Sequence, residues 1–168
     1  MPTIRTTSTP QPIPLSKSGD RMSLNNLTKA MASWFSDMTR LKQVHPLIDT
    51  FESTTNPETG EITHVVTDRI PLFCGLHTSQ TYTARIHPYA DGDTVLKTES
   101  TVANFRYLKS TYWIVGMEEE GSFVVVDESE FELDWWMRLL EGYVVEQLST
   151  AHQSMINGCA KDISGGRV

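Results

Sequence analysis

Only two cysteines occur in the 168 residues, Cys74 and Cys159, too few and too isolated for a zinc knuckle or a disulfide framework. Both read as free thiols in a reducing compartment. Positive charge is scarce as well: 14 Lys and Arg stand against 21 Asp and Glu, a net charge of −7. Phosphate binding needs clustered cations, and no basic stripe exists, so nucleic acid is excluded as a partner. No apolar run approaches the ~18 residues of a transmembrane helix, so stable membrane insertion is not expected. The opening MPTIRTTSTPQPIP carries no apolar core of a secretory signal, which points to a cytoplasmic protein. Catalytic signatures are missing too. There is no G-x-S-x-G, no Gly-rich phosphate loop and no H-E-x-x-H, and the five histidines stand apart, so neither a metal nor any other cofactor is read.

What is present is periodicity. Thr3 to Thr9 is rich in β-branched residues and reads as a first strand, stopped by Pro10, Pro12 and Pro14. Ser23 can cap a helix over Leu24 to Met38, with Leu24, Leu27, Met31, Trp34, Phe35 and Met38 on one face. A second short helix should end at His45, before Pro46. From Leu47 the period becomes two. Leu47 to Thr54 and Ile62 to Ile70 flank the turn Asn56-Pro57-Glu58-Thr59-Gly60, Gln80 to His87 and Thr94 to Val102 flank Asp91-Gly92, and Tyr107 to Met117 and Ser122 to Glu132 flank a turn ending in Gly121. Links this short force antiparallel neighbours.

The longest helix is read from Asp134 to Gly158, with Asp134 as N-cap and Gly158 as the left-handed residue that ends it. Trp136, Leu139, Leu140, Tyr143, Val144, Leu148, Ala151 and Met155 form its apolar stripe. Roughly 24 residues at 1.5 Å each would span about 36 Å, the width of a small domain. The reading is therefore α+β: one domain over residues 1–158, a curved antiparallel sheet of about seven strands with two short helices and one long terminal helix, then a flexible tail over 159–168.

That element order resembles the helix-grip fold of the START-like superfamily, which includes polyketide cyclase/dehydrases, plant pathogenesis-related ligand carriers and lipid-transfer domains. The stretches TIRTTSTP, TYTARIHPYADG and FELDWWMRLLEGYV are similar to those of a largely uncharacterised fungal group within it. The resemblance implies a deep apolar cavity between sheet and last helix. A sheet bent around a helix leaves room for one on general grounds also.

Large rings are plentiful, four of them Trp. They read either as core or as the wall of a pocket; as pocket lining the candidates are Trp34, Phe73, Tyr82, Tyr107, Trp113, Trp136, Leu140 and Tyr143. Trp135 and Trp136 point about 100° apart on a helix, so one should guard a pocket mouth or a partner surface. Polar residues inside the strands are the candidate catalysts. Asp68 shares a strand face with His64, Glu99 with Lys97 and Lys109 with Tyr107. On a concave face such a carboxylate would carry a raised pKa suited to proton transfer; on the convex face it would be merely solvated. Asp68, Glu99 and Tyr143 are the expected polar contributors. His152, off the centre of the long helix's stripe, reads as solvated or half-buried.

Three functions fit. The first is a cofactor-independent enzyme of natural-product biosynthesis, a cyclase or isomerase that holds an apolar terpenoid or polyketide intermediate, including for a pericyclic Diels–Alder step. Holding a near-attack conformer can supply about 7–11 kcal/mol. The second is a non-catalytic carrier of a lipid or hydrophobic small molecule, and the third is an interaction module. A homodimer is left open.

Overall fold

A computed structural model describes residues 2–16, 19–45, 47–71, 77–87, 95–101, 105–117, 120–135, 138 and 141–168 (of 70, 71, 78, 95 and 105, the backbone alone). The chain runs β1 (Thr3–Thr7), β2 (Gln11–Pro12), α1 (Leu24–Ser36), α2 (Met38–Val44), β3 (Ile48–Thr55), β4 (Ile62–Pro71), β5 (His77–Ile86), β6 (Val95–Thr101), β7 (Phe105–Met117), β8 (Ser122–Leu133) and α3 (Glu141–Ser164). The sheet is antiparallel in the order β1-β8-β7-β6-β5-β4-β3, with the two-residue β2 also beside β8. The seven expected strands are all present, and β2 is the addition.

Local chemistry sets the boundaries. The Ser23 hydroxyl accepts from the Asn26 N–H and starts α1. Asp37 ends α1 and starts α2, its carboxylate accepting from the Thr39 N–H at 3.0 Å. His45 closes α2 by donating its backbone N–H to Leu41. In the β3–β4 turn the Asn56 side chain accepts from Glu58 and Thr59, and Gly60 takes φ 72°, where a side chain would be strained.

The long helix departs from its expected limits. Within the described residues it runs from Glu141 through Gly158 to Ser164, past its expected end, while residues 136, 137, 139 and 140 near its expected start lie outside the described residues. Residues 159–164, expected as a flexible tail, are helical because the apolar stripe continues through Met155, Ile156, Cys159, Ala160 and Ile163, all buried. The helix stops at Gly166, which takes φ 64° and donates to Ile163 while Arg167 donates to Asp162. This two-bond closure around a left-handed glycine is the Schellman arrangement. Asp162 also accepts from the Trp34 indole N–H at 2.9 Å, which ties the last turn of α3 to α1.

Pairing register settles which residues face the helices. Val66 lies opposite Tyr82, Thr98 opposite Ser110, and Tyr112 opposite Asp127, all on the concave side. The main core joins that side to α1, α2 and the C-terminal half of α3, centred on Trp34, Met31, Phe123 and Ile156. A smaller apolar cluster of Ile4, Phe131 and Leu133 meets Val144, Val145 and Leu148 of α3.

Candidate functional site

Two polar groups of residues occupy the concave side. The first lies on β4 and β5. His64, Val66 and Asp68 alternate on one face, while Val65 and Arg69 point to the other, exposed one. Asp68 pairs with Gln80 in register and Val66 with Tyr82, so Asp68 and Tyr82 are diagonal neighbours. Diagonal Cα atoms lie about 7 Å apart, within reach of an aromatic side chain. One Asp68 carboxyl oxygen is buried and has no hydrogen-bond partner. Burial pushes the Asp68 pKa from the usual carboxylate range up to about 6. Tyr82 titrates above the ordinary phenol range, through burial and then the adjacent Asp68 charge, so it remains a neutral O–H donor. His64 is held below the ordinary imidazole range by burial. Its Nδ1 lies 2.8 Å from the Ser53 hydroxyl, and its Nε2 is buried without a partner.

The second group bridges β8 and α3. His152 Nδ1 lies 2.6 Å from an oxygen of Asp127, which is completely buried. The same carboxylate accepts from Ser129 at 3.0 Å and from Thr6 of β1 at 3.3 Å. Ser110 of β7 adds a third hydroxyl, 2.7 Å from Ser129. Serine, histidine and aspartate together invite comparison with a nucleophilic triad, but the geometry excludes one. Ser129 approaches Nδ1, the nitrogen that Asp127 already occupies, at 3.1 Å; an activated serine must face the opposite ring nitrogen. This group clasps the helix to the sheet. His152, expected to be solvated or half-buried, is buried with Asp127 as its partner.

The remaining expected site residues distribute as follows. Trp34 is wholly buried in the main core and its indole N–H is used by Asp162. Glu99 lies on the convex face, 3.0 Å from the Lys109 ammonium. The hydrogen bond from Lys109 lowers the Glu99 pKa, the reverse of what a pocket acid needs. Tyr107 and Trp113 also belong to the convex side, in register with Glu132 and Val126, and the Arg5 guanidinium sits 5.4 Å from the Trp113 ring centre. Tyr143 is half exposed on the first turn of α3. Phe73, Trp136 and Leu140 lie outside the described residues. Of the expected set, the fold therefore brings together Asp68 and Tyr82. A half-open depression of about 410 Å³ lies away from them, between Pro2, Leu133 and Arg138 with Glu132 and Glu141 at its sides. The clasp was missed in sequence although β8 carries a signal for it. Glu128, Glu130 and Glu132 alternate with Asp127, Ser129, Phe131 and Leu133, and three glutamates on one face place Asp127 and Ser129 on the other.

No family model matches the sequence, and no curated protein matches it. Solved structures do match. A protein from Thermus thermophilus superposes with a TM-score of 0.69 at 14% identity, covering 99% of this chain and 100% of that one. A START superfamily protein from Mycobacterium smegmatis superposes with a TM-score of 0.54 at 14% identity, over 92% and 96% of the two chains. The fold is the START-like helix grip. Within it, the Zhui aromatase/cyclase from Streptomyces sp. R1128 superposes with a TM-score of 0.61 at 12% identity, over 96% and 94%. In this helix grip Asp68 and Tyr82 lie on the inner side of the sheet, and the Asp127–His152 clasp holds α3 against it. No described helix is long and apolar enough to cross a membrane.

Proposed function

We propose that this helix-grip protein binds an apolar polyketide or terpenoid molecule against the concave face and promotes its cyclisation or isomerisation without a cofactor. The observation that carries the reading is the Asp68 carboxyl, half-buried on the concave face with one oxygen buried and unpartnered. A carboxyl with a pKa of about 6 can both take and give a proton near neutrality. Likeness in fold to an aromatase/cyclase supports the choice of reaction type. An ionic ring closure or a double-bond shift uses such a group. A pericyclic step, which moves no proton, does not require it.

The test is turnover by the purified protein with no metal or nucleotide added. Apolar polyketide and terpenoid precursors should bind, and at least one should be converted faster than in buffer. Tight binding with precursors recovered unchanged would make the protein a carrier. Failure of every apolar probe to bind would leave an interaction module as the better account.

A further inference from the structure

Resting on that reading, we infer that Asp68 and Tyr82 form a proton-transfer pair for a β,γ-unsaturated ketone, with Asp68 as base and Tyr82 as the donor to the carbonyl oxygen. The geometry is that of two side chains standing diagonally across β4 and β5 on one face. An unsaturated ketone places its oxygen and its acidic carbon within a few ångströms of each other, a span that such a pair brackets.

Each group meets its chemical requirement. A base must have a lone pair free in the resting protein, and one Asp68 oxygen has no partner. Arg69, the neighbouring cation in sequence, points to the opposite face and does not neutralise it. Burial is the resolved cause of the Asp68 shift, so its carboxylate is a stronger base than one in water. The oxygen donor must stay protonated while negative charge develops beside it. Tyr82 does so, because burial and the Asp68 charge both oppose its ionisation. The described ionisable groups on this side of the sheet include His64 on the same strand, Tyr112 on β7 and Asp127 on β8, the last engaged by His152 of α3; burial lowers the His64 pKa, and Tyr112 titrates far above the ordinary phenol range.

The reaction balances without a co-reactant. Asp68 removes the proton from the carbon between the carbonyl and the double bond. The electron pair moves onto the carbonyl oxygen, stabilised by the Tyr82 hydroxyl. Asp68 then returns the proton to the far end of the diene, so the carbonyl re-forms with its double bond conjugated. No atom is gained or lost, and nothing is oxidised.

The β,γ-unsaturated isomer of androstenedione is a suitable probe, because it is apolar and its conjugated product absorbs in the ultraviolet. The wild-type protein should convert it, with the rate rising as pH passes upward through about 6, where Asp68 ionises. Asp68→Asn should lower the rate about a hundredfold or more, the usual range for loss of a general base. Tyr82→Phe should lower it by about 10²-fold, as for loss of one oxyanion donor. With deuterium at the acidic carbon, part of the label should reappear at the far carbon, because one carboxyl carries it. Displacement of a fluorescent naphthalene sulfonate measures binding separately. If the steroid displaces the dye but is not isomerised, or if Asp68→Asn retains the rate, the inference is overturned while the binding reading stands. If neither dye nor steroid binds, both fall. Label transfer in the wild type and the Tyr82→Phe rate decide the matter even if Asp68→Asn proves unstable.

Discussion

Two carboxylates face the helices from the sheet, and their surroundings assign them different work. Asp127 accepts three described hydrogen bonds, from His152, Ser129 and Thr6. Asp68 keeps an oxygen with none. Full satisfaction is what a structural carboxylate needs, because an unpaired buried charge is expensive. Asp127→Ala should therefore destabilise the fold by about 3–5 kcal/mol, since it leaves His152 and the hydroxyls of Ser129 and Thr6 without their acceptor. Ser110→Ala, which removes one peripheral hydroxyl, should cost only about 1 kcal/mol. Urea unfolding of the two variants checks both values; equal losses would show that the clasp does not centre on Asp127. The residue pattern reveals half of this contrast. Strand alternation pairs His64 with Asp68 on one face, but which face turns inward depends on α1 packing against β6 and β7, a contact between segments some eighty residues apart. The same long-range contact decides against Glu99. Its own strand alternates no worse than that of Asp68, yet register sets it opposite Lys109 on the outside.

At the scale of elements, α3 and α2 meet at a glycine. A Cβ on Gly158 would fall 2.7 Å from Val44 Cγ1 and 3.3 Å from its Cβ. Valine is stiff at χ1 and cannot turn away. Alanine at 158 gains about 1 kcal/mol of helix propensity, while overpacking costs typically about 1–3 kcal/mol. Gly158→Ala should thus be neutral to destabilising by about 2 kcal/mol. In a Val44→Ala background the clash is gone, and the same change should become stabilising. A double-mutant cycle by thermal unfolding measures the difference, and additive effects would refute the proposed contact. This glycine also shows where sequence reading loses its hold. The hairpins around Asn56–Gly60 and Gly121 are legible because a turn is dictated by a few adjacent residues. Glycine after asparagine looks like a helix end by the same local logic. Here its lack of a side chain serves close helix approach, and the true end comes eight residues later at Gly166. The apolar spacing of Cys159, Ala160 and Ile163 was the available signal, hidden by small residues that carry little hydrophobic weight.

For the whole molecule, burial of titratable groups makes stability depend on acidity in two opposing ways. His45, at the end of α2, has its pKa lowered to about 4 from 6.5, by burial and then by the nearby charge of His152. Its unfolded form binds a proton more readily, so His45 supports the fold above pH 6.5, and that support is lost as pH falls through 4. Asp68 runs the other way. Its folded pKa of about 6 exceeds the unfolded 3.8, so its favourable contribution is complete below 3.8 and is lost as pH rises through 6. Between pH 4 and 6 the two slopes offset each other, and removing one exposes the other. Asp68→Asn should melt higher than wild type at pH 7, where the buried carboxylate is a burden, and that advantage should shrink toward zero as pH approaches 4. A melting series across this range checks it. A variant whose stability difference from wild type ignores pH across this range would mean that Asp68 ionises as freely in the fold as in water. That result would also remove its claim to move protons, because the basicity proposed for catalysis and the strain measured by melting have one cause: a carboxylate kept on the inner face of the sheet without a partner.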